Sequence, residues 1–306
     1  MVAGKAKGYF SLFLTSTLWG TTWIVSKIGL RDIPAFQMAA YRQFIAGSIF
    51  VLFFLLFKKI KFPTISQWGW IIIMGILMFV FANGLSTWSL KYIPAGMSAL
   101  IGALYPLSVV IIERIFFKTE KIKPIILIGF IVGFIGIAVV FYENAFHQDK
   151  TSLIKGISLS MIAMLSWSFG TVFIARNKVQ MNPYYATGWQ MVVSSFILIL
   201  LAYFTQPIIP IQQVSTRAWL AIFYLVLFGS IVTFIAFIYS MKKLSTTIAS
   251  LYAYVNPLIA LLSGALILGE KLTLNILWGA ILTLTGIFLV NYGIRYHRKV
   301  IAESEM

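Results

Sequence analysis

Cysteine is missing from the chain, and histidine occurs only as His147 and His297. Without a thiol there is no disulfide framework, no thiolate metal site and no thiol nucleophile. One histidine lies in a polar gap and the other in a basic terminal stretch, which leaves no imidazole-based metal or catalytic centre. Acidic residues are also scarce: eight Asp and Glu stand against 24 Lys and Arg in 306 residues. Charged residues make up 10% of the chain, against about 25% in a soluble domain.

Apolar sequence fills the space, at 60% hydrophobic residues and a mean hydropathy of +0.93. The composition is that of an all-α integral membrane protein, with the lipid bilayer as its first partner. A net charge of +16 invites a nucleic-acid reading, but the bases sit in short clusters between apolar runs. Insertion orientation accounts for them, and no nucleic-acid partner is expected. No small-residue cleavage site follows the first apolar run, which reads as a retained helix. No G-x-x-x-x-G-K-[ST] loop occurs, so nucleotide drive is excluded, and neither cofactor nor metal is expected.

A spanning helix needs about 20 mostly apolar residues. Ten runs meet that need: 8–28, 34–57, 67–90, 94–117, 124–142, 153–175, 183–204, 217–241, 245–268 and 273–294. The longest polar gap, 143–152, divides them five and five. With a cytoplasmic N-terminus, 16 Lys and Arg fall on the cytoplasmic side, 7 on the other, and Arg42 inside a span. That bias predicts a multi-pass plasma-membrane protein with both termini cytoplasmic.

The two halves repeat. Trp19 matches Trp167, Pro34 matches Pro183, Trp68 matches Trp219, and Pro106-Leu107 matches Pro257-Leu258. Ten of the 23 positions in 120–142 are identical to 270–292, including Glu120-Lys121, Gly129, Gly136 and Tyr142. Five is an odd number of spans, so the second copy must thread in the opposite sense. Domains are therefore expected at 8–142 and 153–294, with a basic cytoplasmic tail at 295–306.

Each copy carries a proline in mid-span, Pro106 in run four and Pro257 in run nine. Proline removes a backbone donor and crowds the preceding turn, so a kink or opening is expected at both. Carbonyls freed at that depth must face protein or water. Inverted repeats with interrupted helices place a substrate site at the midplane.

The motifs Leu18-Trp19-Gly20-Thr21-Thr22-Trp23, Pro34 to Arg42, Tyr105-Pro106 with Glu120, and Asn256-Pro257 with Gly269-Glu270-Lys271 lie in order along the chain. With their duplication, the sequence resembles the EamA-type carriers of the drug/metabolite transporter superfamily. Its second copy opens less faithfully, with Ser168-Phe169-Gly170-Thr171 after Trp167. The resemblance implies ten transmembrane helices as two inverted five-helix EamA repeats, and movement of small metabolites, often export of amino acids or related compounds.

Candidate pathway residues follow from polarity in apolar surroundings. Tyr252 and Asn256 share a helix face with Ser245, Ala249 and Ser263, and Tyr105 shares one with Ser98, Gly102 and Ser108. Such stripes face a cavity, or else knit helices together. Trp19 and Trp23 are an i, i+4 pair between Thr15 and Ser26, and Trp167 repeats Trp19; these read as pathway wall or as packing. Arg42, a base well inside a span, either holds a substrate carboxylate or phosphate, or binds carbonyls, or joins Gln43 and Gln190 in a polar knot. Asn83 with Thr87, and Ser230 with Thr233, are further candidates, and Glu113 is a weak one for proton coupling. Gly129, Gly133, Gly136, Gly279 and Gly286 give runs five and ten small-residue faces, for packing within the bundle or for a homodimer.

These features predict a secondary transporter with alternating access, its midplane site built from runs 1, 3, 4, 6, 8 and 9 with runs 5 and 10 as scaffold. The rival reading is a channel or facilitator, which calls for rings of charge or carbonyls. An intramembrane enzyme is disfavoured, because no Asp, His or Cys lies within a span.

Overall fold

A computed structural model describes residues 2–117, 124–145, 149–176, 179–244 and 252–304, and no strand occurs among them. In chain order the rods are α1 (Val2–Gly29), α2 (Ala35–Leu56), α3 (Ile65–Ser89), α4 (Ala95–Phe117) and α5 (Pro124–Ala145). There follow α6 (Lys150–Arg176), α7 (Pro183–Thr205), α8 (Thr216–Lys243), α9 (Tyr252–Leu268) and α10 (Leu274–Ser304). Seven of these are long and apolar enough to cross a membrane, and Pro124–Val140 and Tyr252–Leu268 are shorter apolar helices. Glu120-Lys121, Ser245, Ala249 and His147 lie outside the described residues.

Local chemistry sets many of the helix starts. Pro34 and Pro94 stand at the N-caps of α2 and α4, and Pro183 opens α7, positions where a missing N–H costs nothing. Thr64 and Gln67 form a reciprocal capping box at α3, and Ser215 caps α8 through the Ala218 N–H. The Asp149 carboxylate accepts the Ser152 N–H at 2.8 Å ahead of α6, and that bond holds the carboxyl below its usual range.

Packing couples the two halves through corresponding helices. Along α2 and α7, Phe36 pairs with Gln206, Gln43 with Ser194, Gly47 with Gly188 and Phe54 with Tyr184, so the two run antiparallel. Along α5 and α10, Ile126 meets Gly293, Gly129 meets Gly286 and Gly136 meets Gly279, again antiparallel. This seam brings backbones together. A β-carbon on Gly129 would lie 2.7 Å from the Gly286 carbonyl, and one on Gly136 would lie 2.6 Å from that of Gly279. The glycine faces of α5 and α10 therefore meet each other inside the bundle. Around these seams α1 packs on α8 and α9 as α6 packs on α3 and α4. Outward faces carry large apolar side chains such as Phe44, Leu52, Leu127, Phe196, Leu220 and Phe288, as a lipid-facing surface should.

Three interruptions shape the interior. The helix of α4 breaks at Leu104, two residues before Pro106, which sits in the first turn of the following segment Tyr105–Phe117. Pro257 behaves differently: α9 stays helical on both sides of it, so of the kink or opening expected there the opening does not occur. Two wide π-helical stretches, Gly75–Leu85 in α3 and Leu225–Val232 in α8, occupy matching places in the halves and are unannounced by any residue pattern. A π turn adds a residue per turn and re-aims the side chains that follow it.

Candidate functional site

A cavity of about 190 Å³ lies among α1, α2, α3, α4, α6, α7, α8 and α9, and neither α5 nor α10 contributes to its wall. The sequence-based set of runs omits α2 and α7, which supply Arg42, Gln43 and Met191. Tyr105 stands ten residues past Ala95, about 15 Å along the helical rise, half of a core about 30 Å thick.

All eight candidate side chains, Trp19, Trp23, Arg42, Asn83, Tyr105, Trp167, Tyr252 and Asn256, line this one cavity. Pro257 lines it as well, while Pro106 does not. The α1 indoles reach opposite neighbours. Trp23 donates from Nε1 to Asn256 Oδ1 at 3.0 Å, and Trp19 donates to the Gly229 carbonyl at 3.1 Å. Both bonds join the first half to the second. Gly20, between them, lets α1 lie close to α9: a β-carbon there would come within 2.6 Å of Ile259 and 3.1 Å of the Asn256 carbonyl.

An aromatic cluster surrounds Trp19. Its ring meets Phe237 at 5.2 Å, Tyr252 at 5.4 Å, Phe234 at 5.5 Å and Trp167, edge to face, at 6.5 Å. The Tyr252 hydroxyl donates to the Tyr105 hydroxyl at 3.2 Å, with the two rings stacked. These rings make one wall apolar but lined at its edge by phenol and indole donors.

Across the cavity the wall is polar. The amide nitrogen of Gln43 donates to Asn83 Oδ1 at 3.1 Å and to the Phe79 carbonyl at 3.2 Å, and its oxygen accepts from the Ser194 hydroxyl. Gln190 is buried but takes no part, so the knot forms between Gln43, Asn83 and Ser194. Arg42 stands beside it and donates from Nε to Ser230 Oγ at 3.0 Å. The π-helical stretches carry both Asn83 and Ser230, so the widened turns deliver the partners of neighbouring residues Gln43 and Arg42.

Several candidates belong elsewhere. Ser98 shares hydrogen bonds with Ser89 and Ser160 at 2.9 and 2.8 Å, which knits α3, α4 and α6 together. Ser108 reaches Met164 Sδ, and Ser263 and Thr15 bond back to their own helices. Thr233 donates to the Phe228 carbonyl five residues back, within the widened turn of α8. Glu113 pairs with Arg176 at 3.7 Å, away from the cavity. Sequence reasoning missed Met78, Phe79, Met191 and Phe234 as wall residues. No signal marks them, because an apolar side chain facing a cavity has the same composition as one facing lipid.

Comparison with known proteins agrees with this architecture. The sequence profile of the EamA-like transporter family matches residues 6–142 and again residues 154–292. This chain belongs to the EamA-like transporter family. It is similar to the uncharacterized inner membrane transporter YedA of Escherichia coli K12, 30% identical over 265 residues, covering 86% of this chain and 83% of that one. It is also similar to the uncharacterized transporter YoaV of Bacillus subtilis 168, 24% identical over 284 residues, covering 92% and 96%. A solved crystal structure shares the fold, with a TM-score of 0.63 over 94% of this chain and 97% of that chain at 17% identity. As an EamA member the protein is a multi-pass membrane transporter, and its repeats are those that build the cavity.

Proposed function

We propose that this EamA protein is a secondary transporter that exports a small amino-acid-like metabolite across the plasma membrane by alternating access. In this reading ten helices cross the bilayer as two five-helix repeats, 8–142 and 153–294, of opposite sense. Both termini and the basic tail 295–306 then lie in the cytoplasm. Antiparallel pairing of α2 with α7 and of α5 with α10 supports the inverted relation, since matching helices of a parallel repeat would run the same way. The α5–α10 seam serves as scaffold while the remaining helices rock around the cavity.

One observation carries the reading: the cavity is bridged between halves by side-chain contacts that a solute could replace, Trp23 to Asn256, Trp19 to Gly229, Arg42 to Ser230, Tyr252 to Tyr105 and Ser194 to Gln43 among them. Side-chain hydrogen bonds between membrane helices are worth only about 0.6–1.7 kcal/mol each, within the reach of a solute that substitutes for them. A channel would need a ring of charges or carbonyls, and the wall holds a single charged side chain.

The decisive experiment is counterflow in proteoliposomes with a panel of amino-acid-like solutes. Asn256→Ala should lower the rate roughly tenfold, the scale of one strong interhelical bond plus a lost solute contact, with membrane insertion unchanged. Wild-type flux in that variant, or single-channel currents from the native protein in a planar bilayer, would overturn the carrier assignment.

A further inference from the structure

The least explained group in the molecule is the Arg42 guanidinium. The residue is 8% exposed, yet among the described residues its hydrogen bond is the one from Nε to Ser230. It bonds no carbonyl among those residues, so the role of securing a helix end falls away. The residue lines the cavity, and one terminal Nη lies so close over Gly229 that a β-carbon there would stand 3.1 Å away.

A buried cation calls for a counterion. Four acidic side chains are committed elsewhere: Asp32 to Ser215 and Arg217, Glu113 to Arg176, Asp149 to the start of α6, and Glu270 to Lys27. No carboxylate lines the cavity, and Arg42 is the one charged side chain in its wall. The protein provides a guanidinium in the cavity wall and no carboxylate there to neutralise it.

We propose that the counterion is the cargo: a small organic monoanion whose carboxylate pairs with Arg42 and whose apolar part lies against Trp19, Trp167 and Phe234. This rests on the reading of the cavity as the solute site and narrows its chemistry. The cavity of about 190 Å³ has room for a carboxylate carrying a ring or branched chain. With no acidic partner in the wall, an α-ammonium would meet only aromatic faces and hydroxyls, so the carboxylate is the group that the site selects. A cycle follows as well. Closing around an empty cavity buries the guanidinium with no countercharge, whereas closing around a bound anion buries a neutral pair. Exchange of loaded carriers should therefore outrun net flux.

The test compares phenylacetate with phenylacetamide, a neutral amide of nearly the same shape, using tryptophan fluorescence of the purified full-length protein. Wild type should bind phenylacetate on the order of tenfold more tightly, the worth of one charge-assisted pair. Arg42→Gln should abolish that preference, and Arg42→Lys should keep part of it, having charge without the planar fork. Equal binding of the two probes by wild type overturns the anion site, and this arm needs no variant to fold. Displacement of phenylacetate by chloride or inorganic phosphate at similar concentration overturns the organic class. In proteoliposomes, phenylacetate inside should speed labelled phenylacetate uptake on the order of tenfold over empty vesicles. Equal rates overturn the exchange cycle. If charge-selective binding survives where no flux occurs at all, the carrier reading fails and the anion site stands. Flux without charge selectivity does the opposite, removing the anion site and leaving the carrier in place.

Discussion

Gly286→Leu should leave the chain inserted but unable to close the α5–α10 seam. The glycine sits where a β-carbon would lie 2.5 Å from the Gly129 carbonyl and equally close to the Gly133 α-carbon. Backbone cannot give way there as the end of a side chain can. A leucine must push the two rods apart, which also withdraws the Gly136–Gly279 contact and the packing of Val140 against Gly279. Overpacking of this kind costs about 3 kcal/mol, a shift of roughly a hundredfold in the balance between packed and open bundles. Size-exclusion profiles in mild detergent should replace the monodisperse peak with aggregate. Gly69→Leu provides the control, since a β-carbon at Gly69 meets nothing within 4 Å. Equal profiles for the two variants would mean that the seam does not hold the halves together.

Glu270→Gln should produce the second large effect, through a junction whose own residues do not line the cavity. The Glu270 carboxylate accepts Lys27 Nζ at 2.9 Å, the Ala95 N–H at 2.8 Å and the Gly96 N–H at 3.5 Å. It thereby ties the end of α1 to the first turn of α4, where helix N–H groups have no partners of their own and favour negative charge. Lys27 also donates to the Ile93 carbonyl at 2.9 Å, so one small knot joins α1, α4 and the α9–α10 connection. Gly264 makes room for it, because a β-carbon there would meet Glu270 Oε2 at 2.6 Å. Neutralising the acid leaves Lys27 without its ion pair and weakens the cap. The loss should be about 2 kcal/mol, on the scale of a hydrogen-bonded charge in a partly buried site. A fall in the melting temperature of the detergent-solubilised protein would register it. Lys27→Met alone should also destabilise, yet Lys27→Met with Glu270→Gln should cost less than the two single changes together, since no unmatched charge remains. Strict additivity would show that the pair is not coupled. The same junction joins the two halves, so Glu270→Gln should also change the rate of transport.

The cavity wall is legible in the sequence to an unusual degree, and the reason is physical. In a chain that is 60% hydrophobic, polar and aromatic-polar side chains in mid-span are few, and each must find protein or water. Trp23 and Asn256 thus stand out separately, 233 positions apart, although nothing in the sequence pairs them. Arg42 stands out for the same reason. Serines are harder to assign. Ser98 and Ser230 look alike in sequence, yet one completes a hydroxyl chain among three helices and the other receives the guanidinium. A hydroxyl is small enough for either role and can also bond its own helix, so polarity alone does not divide them.

Sequence by itself determined the membrane class, the duplication and the short roster of polar residues, because each rests on composition or order along the chain. Tertiary structure alone decided which partners meet. The π-helical stretches of α3 and α8, the break at Leu104 with continuity through Pro257, and the convergence of Glu270 on α4 all depend on how each rod is rotated about its axis. A helix apolar on every side carries almost no periodic signal for that rotation. Close backbone contacts such as those at Gly20, Gly47 and Gly286 set it instead, and they exist only once the neighbouring helix is in place.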